Sequence, residues 1–326
     1  MQYIDFTSGE GPEGLVIKTR SIPTVKAGEI LIKVAAFGVN RADTLQRQGK
    51  YPPPPGESDI LGLEVSGEVV QVGDNVTQWH TGDRVCALVA GGGYAEYVTV
   101  NAAHVIPIPQ NVSLVDAAGL TEVYLTAWQA LFAIGGLKAS DKALIHAGAS
   151  GVGLAALQLC RYKGVETATT ASSTEKLNLC TEMGASLTIN YRDEDFAAVL
   201  KEQWRGGVNF ILDFIGGDYL NRNLKVLAQD GKVVYLAMLG GRYADQLDMA
   251  LLLAKRATIE GSTLRNRTDE YKASLIADFI QKGLPGFASG ALQVNVDTVL
   301  NVDAVAEAHR LLESNQTKGK VIVRWG

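Results

Sequence analysis

Little in this chain points to a disulfide framework, a metal centre, a nucleic acid or a membrane. Three cysteines occur in 326 residues, at 86, 160 and 180. An odd, widely spaced set suits reduced, buried thiols and argues against a network of bridges or a cysteine-rich metal loop. The four histidines, His80, His104, His146 and His309, show no spacing of a metal site or a nucleophile-activating motif. No block rich in Lys and Arg offsets the net charge of −5, so nucleic acid is not an expected partner. No run approaches the ~18 apolar residues that a membrane helix needs. The start, MQYIDFTSGE, also lacks a basic stretch leading into an apolar one, which predicts a cytoplasmic protein. Internal repeats and low-complexity tracts are absent too.

What remains is an ordinary globular composition, 47% hydrophobic and 20% charged, in a chain long enough for two cores. From residue 15 to about 105 it consists of short β-branched runs, among them EILIKVAAFGV, LEVSGEVVQVG and GYAEYVTV, separated by Gly, Pro and Asp. This pattern predicts a barrel-like, mostly antiparallel first domain over 1–121, with a proline-rich loop, YPPPPGESD, at 51–59. Ser113 and Asp116 form a capping-box start, and 122–134 reads as one long apolar helix stopped by Gly135 and Gly136.

Strands and helices then alternate. Strands are expected at 142–146, 165–168, 187–190, 208–214, 231–238 and 258–264, with helices at 151–162, 174–183 and 193–204 among the crossovers. Six strands with helical crossovers describe an α/β, doubly wound parallel sheet, the Rossmann arrangement, assigned to 122–289. The tail, 290–326, offers a strand, a helix near 303–314 and a last strand, KVIVRW, expected to return to the first domain.

The first strand of that sheet runs straight into HAGASGVG. Gly148, Gly151 and Gly153 allow a tight turn and close backbone approach, with Ser150 and Val152 between them. A helix opening near Gly151 would aim free N–H groups at a pyrophosphate. The spacing is G-x-x-G-x-G, and its position between a strand and a helix gives it meaning. At the end of the second strand an NAD site would place Asp or Glu, but this chain reads TATTASSTEK. Ser172, Ser173 and Lys176 there, with Tyr191 after the third strand, suit the 2′-phosphate of NADPH. A solvated helix residue is the alternative for Lys176.

One stretch poses a puzzle: LGLEVSG, 61–67, holds a lone carboxylate, Glu64, in an apolar run. A buried carboxylate needs a basic partner or backbone N–H groups. The segments FGVNRADTLQRQGKY, GLEVSGEVVQVG, TAW at 126–128, GASGVG and KGKVIV together resemble the medium-chain dehydrogenase/reductase superfamily over nearly the whole chain. NRAD, QRQGKYPPPPG, ILGLE, IHAGASGVG and ILDFIGG are most similar to its zinc-free, zeta-crystallin-like quinone oxidoreductases, in particular the tumour-suppressor-inducible branch. The resemblance implies a GroES-like catalytic domain beside the Rossmann domain. Zinc-dependent members carry His where this chain has Leu63 and Cys in the loop where it has Asn40, so the resemblance implies no metal.

Without a metal to polarise a carbonyl, the acceptor must spread the incoming charge itself, as quinones and α,β-unsaturated carbonyls do. The resemblance therefore implies NADPH-dependent quinone reduction. Two alternatives stay open: a reductase of enones, enals or enoyl thioesters, and an NADPH-binding protein without significant turnover. Asn40 and Tyr51 are the candidates for hydrogen bonding to the acceptor. A turn-stabilising Asn and a packing Tyr are their bland readings. Further cofactor contacts implied by the resemblance are Thr126, Phe214 and Ile215, Met238, Leu239, Gly240 and Gly241, and Lys320. The sixth strand, at the sheet edge, invites pairing into a homodimer.

Overall fold

The computed structural model describes residues 1–326. Along the chain, β1 (Gln2–Asp5) and β2 (Val16–Thr19) form a two-stranded antiparallel ribbon. After them come β3 (Glu29–Val39), α1 (Arg41–Arg47), β4 (Glu64–Val72), β5 (Arg84–Leu88), β6 (Tyr97–Asn101), β7 (Val105–Pro107) and α2 (Thr121–Trp128). The middle of the chain alternates: β8 (Lys142–Ile145), α3 (Gly151–Lys163), β9 (Glu166–Ala171), α4 (Thr174–Glu182), β10 (Leu187–Asn190), α5 (Phe196–Gln203), β11 (Val208–Asp213), α6 (Tyr219–Val226), β12 (Leu227–Tyr235), α7 (Met249–Lys255) and β13 (Thr258–Gly261). The last part holds α8 (Asp269–Lys282), α9 (Pro285–Ala288), β14 (Val296–Asn301), α10 (Val305–Glu313) and β15 (Lys320–Arg324).

One compact unit combines Met1–Leu125 with Leu264–Gly326. Its main sheet runs β14-β15-β3-β4-β5-β7, with β6 also on β3, an open path rather than a closed barrel. Ile30, Ile32, Val34 and Phe37 of β3 enter a core with Val65, Val69, Tyr94, Val321 and Val323. Phe37 stacks on Tyr94 with ring centroids 4.1 Å apart, an arrangement adding about 0.5–1.5 kcal/mol beyond burial. β15 pairs antiparallel with β3, Val321 opposite Val39, which joins the tail to this unit. That return begins at 264, earlier than the 290 read from the sequence. The cause is aromatic packing, since Tyr124 meets Phe279 of α8 and Phe287 of α9 and donates its hydroxyl to the Gln293 carbonyl.

The other unit, Thr126–Thr263, is a parallel six-stranded sheet in the order β10-β9-β8-β11-β12-β13. Chain order reverses between β8 and β11, the switch point at which such sheets take ligands. The helix read over 122–134 splits in two. After Trp128 the chain widens into a π-helical turn, Gln129–Ile134, closed by Gly135 N–H to Ala130 C=O. A Cβ on Gly135 would lie 2.5 Å from the Leu131 carbonyl and 2.6 Å from the Phe210 ring, so only glycine lets this turn close against β11. No helix is long and apolar enough to cross a membrane.

Candidate functional site

Three strands of the first unit deliver three polar side chains to one place. β3 ends at Val39, opposite Val321 at the start of β15, and on its other side Phe37 pairs with Val65 at the start of β4, so Asn40, Lys320 and Glu64 converge. The Lys320 ammonium sits 2.7 Å from Glu64 Oε1, and both side chains are buried. Lys320 Nζ also donates to Asn40 Oδ1 (2.7 Å) and to the Val39 carbonyl (3.1 Å). Glu64 accepts in addition from Asn40 Nδ2 (3.0 Å) and from the Glu122 amide (2.9 Å). This arrangement satisfies the lone carboxylate. Its space comes from Gly38, where a Cβ would stand 2.3 Å from Glu64 Oε1. Asn40 spends its amide hydrogens on Glu64 and on the Gly38 carbonyl (3.3 Å). With both hydrogens spent, the side-chain amide has none left to give an acceptor molecule.

Beside this knot runs a second chain of buried polar groups. Asp43, in the first turn of α1, accepts from the Asn40 amide (2.8 Å), the Gly62 amide (3.1 Å) and the Tyr94 hydroxyl (3.3 Å). Burial pushes its carboxyl up to about 6 against those bonds. Tyr94 also meets His309 Nε2 at 3.0 Å, and His309 Nδ1 lies 3.3 Å from Arg47 Nε. Arginine can only donate, so Nδ1 is the acceptor, Nε2 carries the proton, and the chain reads Arg47 to His309 to Tyr94 to Asp43. Burial, reinforced by Arg47, holds His309 neutral with its pKa down at about 3. Arg47 closes the chain on Glu313.

Tyr51 is half-buried, and the Arg265 guanidinium lies 5.5 Å from its ring centroid. Arg265 is itself only 6% exposed and donates Nε–H to the Ala90 carbonyl at 2.8 Å. Glu122 stands within electrostatic reach of Arg265, and burial, then Glu64, pushes its carboxyl up to about 8.

In the second unit, β8 leads through buried His146 into the glycine loop. Ser150 caps α3 by accepting from the Gly153 amide at 3.1 Å. A Cβ at Gly148 would fall 1.9 Å from Thr169 Oγ1, and one at Gly153 2.5 Å from the Ala147 carbonyl. Close packing of the loop on β9 and on its own backbone therefore requires glycine at both positions, and the loop opens α3, whose first N–H groups are the kind a diphosphate uses. β9 and β10 pair in parallel up to Ala171 and Asn190, with the Tyr191 amide on the Ala171 carbonyl, which brings Tyr191 next to the Ser172–Ser173 turn. Ser173 caps α4 at the Lys176 amide (3.4 Å). Phe214 is buried, whereas Met238 and Leu239 are 62% and 58% exposed and so are not core. Their loops zip together: Leu239 and Gly240 amides reach the Phe214 and Ile215 carbonyls, and Gly216 bridges Gly241. Thr126 opens the unit, half-buried.

Two residues holding this edge were not read from the sequence. The Asp213 carboxylate accepts from the Ile215 (2.5 Å) and Gly216 (3.0 Å) amides and from Asn223 Nδ2 (2.6 Å). Asn223 Oδ1 meets His146 Nε2 at 2.9 Å, and His146 Nδ1 meets Thr170 Oγ1 at 3.0 Å. His146 thereby ties the end of β8 to the loop after β11. The DFIGG turn was the available signal for Asp213.

Two family profiles match: "Alcohol dehydrogenase GroES-like domain" over 26–110 and "Zinc-binding dehydrogenase" over 151–281. Human (Homo sapiens) quinone oxidoreductase is 31% identical over 323 residues, 96% of this chain and 94% of its own. The chain is a medium-chain dehydrogenase/reductase. Within that superfamily it also aligns with the zebrafish (Danio rerio) synaptic vesicle membrane protein VAT-1 homolog, 28% identical over 92% of this chain but only 65% of the relative. Escherichia coli quinone oxidoreductase complexed with NADPH superposes with TM-score 0.88 at 28% identity, covering 99% of this chain and 100% of the other. The CurK enoyl reductase does so with TM-score 0.87 at 25% identity, covering 100% and 99%.

A zinc ion, suggested by the second profile's description, does not fit this medium-chain dehydrogenase/reductase. Leu63 offers no donor, Asn40 is committed to Glu64 and Lys320, and the Lys320 ammonium already takes the cation's place on Glu64. No group of three or more His, Cys, Asp or Glu is arranged to hold a metal.

Proposed function

We propose that this chain reduces quinones and related conjugated carbonyls with NADPH. The observation that carries the reading is the donor set around Glu64: an internal ammonium instead of a ligand-lined metal position. An ammonium already spent on Glu64, Asn40 and Val39 does little to polarise a simple ketone, so the site favours acceptors that delocalise the arriving charge over their own π system. The cofactor supplies the hydride when bound. Gly148, Ser150, Gly151, Val152 and Gly153 receive its diphosphate at the loop that opens α3. Ser172, Ser173, Lys176 and Tyr191 receive the adenosine 2′-phosphate, with Lys176 giving the charge-assisted bond. Thr126, Phe214, Ile215, Met238, Leu239, Gly240 and Gly241 complete its contacts, whereas Lys320, its three N–H groups spent on Glu64, Asn40 and Val39, does not. Asn40 orients the site through its bonds to Glu64 and Lys320, not as a donor to the acceptor, and Tyr51, a phenol that keeps its proton at neutral pH and is pushed further up by burial, stacks on or donates to the acceptor.

The resemblance to CurK favours a second reading, reduction of an enoyl thioester. NADPH oxidation by the metal-free protein with 1,2-naphthoquinone, 1,4-benzoquinone and a simple enone, beside an NADH control, tests the first. The expected result is quinone turnover at least tenfold better with NADPH than with NADH. Faster turnover of the enone would favour the second reading, and equal use of both cofactors would remove the assignment of Lys176. We also infer a homodimer, paired along β13, and a cytoplasmic location.

A further inference from the structure

Arg265 carries a feature that the knot and the buried chain do not explain. Its Nε–H is satisfied by Ala90, yet Nη1 and Nη2 are both buried and neither has a hydrogen-bond partner. A guanidinium stays charged in a protein and presents its N–H groups in a fixed fork, so burying it with the open side of the fork unmet is costly. No carboxylate stands within ion-pair distance, although Asp43, Glu122 and Glu57 lie close enough to be felt. The neighbour that is in place is an aromatic face, Tyr51 at 5.5 Å. An aromatic face at that distance attracts a cation only weakly and meets none of its N–H groups. Tyr51 is half-buried and stands on the loop just before Pro52–Pro55, which ends at Gly56 in a left-handed conformation with open space around it. The ring is thus a cover held at one edge of the site.

We propose that Arg265 is the oxyanion-binding residue, its free Nη groups receiving the acceptor's carbonyl oxygen when the acceptor displaces the Tyr51 ring from the guanidinium. The assignment rests on the reductase reading above. Hydride addition places a new C–H or O–H bond and an electron pair on the acceptor. The pair moves through the conjugated system to the oxygen, the dihydronicotinamide is oxidised in the same step, and a proton from water completes the product. Charge therefore develops at the one atom that two fork N–H donors suit best, and a preorganised charged donor is stronger at that oxygen in the transition state than in the neutral ground state. The same chemistry makes Arg265 a binder of phenolates, which carry the quinolate charge without being reduced.

Arg265→Gln and Arg265→Lys, with matched thermal midpoints, separate the possibilities. With 1,4-benzoquinone, kcat for Arg265→Gln should fall about 100-fold or more, with NADPH affinity unchanged within twofold. Arg265→Lys should recover only part of the loss, because charge returns without the fork. Binding of 4-nitrophenolate to the native protein in the presence of NADP+, followed by its absorbance, should weaken at least tenfold in Arg265→Gln. A kcat within threefold of the native value would overturn the assignment, and so would a loss of NADPH affinity equal to the loss of kcat/KM, which would put the fork on the cofactor. If the native protein reduces none of the acceptors, Arg265-dependent phenolate binding still supports the oxyanion site while the reductase reading falls. Phenolate binding indifferent to Arg265 sinks the site in either case.

Discussion

Removing the ammonium of Lys320 would leave Glu64 charged and buried, facing one amide side chain and one backbone N–H. Lys320→Met should cost about 3–5 kcal/mol of stability, read from urea denaturation. Adding Glu64→Gln should restore most of it, because the second change removes the uncompensated charge. A loss below about 1 kcal/mol in the single variant would mean that the ion pair is dispensable. At this scale the sequence was legible only in part. That Glu64 needed a partner followed from its apolar setting, but the identity of the partner did not, since Lys320 reaches it through the pairing of β15 with β3 and not through nearby chain. Arg265, Asp43 and Glu122 were missed for the same reason: a charge in a loop or helix start looks solvated until the fold buries it. Asn40 was found by its position in NRAD, and only the hydrogen-bond geometry showed that its amide hydrogens are already committed.

The elements were far easier to read. The six strands of the parallel sheet were expected from the sequence, β8, β11 and the VVY end of β12 most plainly because they are apolar runs, the signature of buried strands flanked by helices. The π-helical turn after Trp128 left no signal beyond Gly135 and Gly136, because its cause is a close approach to Phe210 on a distant strand. The place of α8 was equally hidden, depending on Tyr124 meeting Phe279. One strand makes a prediction of its own. β13 has a neighbour only on its β12 side, and Ile259 upon it is 37% exposed. An uncovered strand edge with an apolar side chain pairs readily with a second copy. The native protein should sediment at twice 34.8 kDa, and Ile259→Lys should shift it toward the single-chain mass. A native mass of one chain at micromolar concentration would refute the pairing.

Across the molecule, three groups shifted by burial set opposing dependences of stability on pH. His309, held down at about 3, stays neutral in the folded state while the unfolded chain takes up a proton below about 6.5, so its effect is lost stability as pH falls below that value. Asp43 and Glu122, raised to about 6 and about 8, hold protons that the unfolded chain releases near 4, so stability falls as pH rises through each window. Above pH 6.5 only the Glu122 window is still open. Stability should therefore decline from pH 6.5 to 8, by less than the one-proton limit of about 1.4 kcal/mol per pH unit because Glu122 is only part-buried. Glu122→Gln should flatten that slope in urea titrations at several pH values, and an unchanged slope would assign it to another group. The pairing of Lys320 with Glu64 also imposes an order on biosynthesis. Residues 126–263 form one uninterrupted stretch and can close their sheet on the ribosome, whereas Glu64 must wait until β15 has been translated. At about 5–20 residues per second the wait is roughly 10–50 s. During that interval Glu64 and its neighbours in the nascent first unit stay hydrated and unlocked.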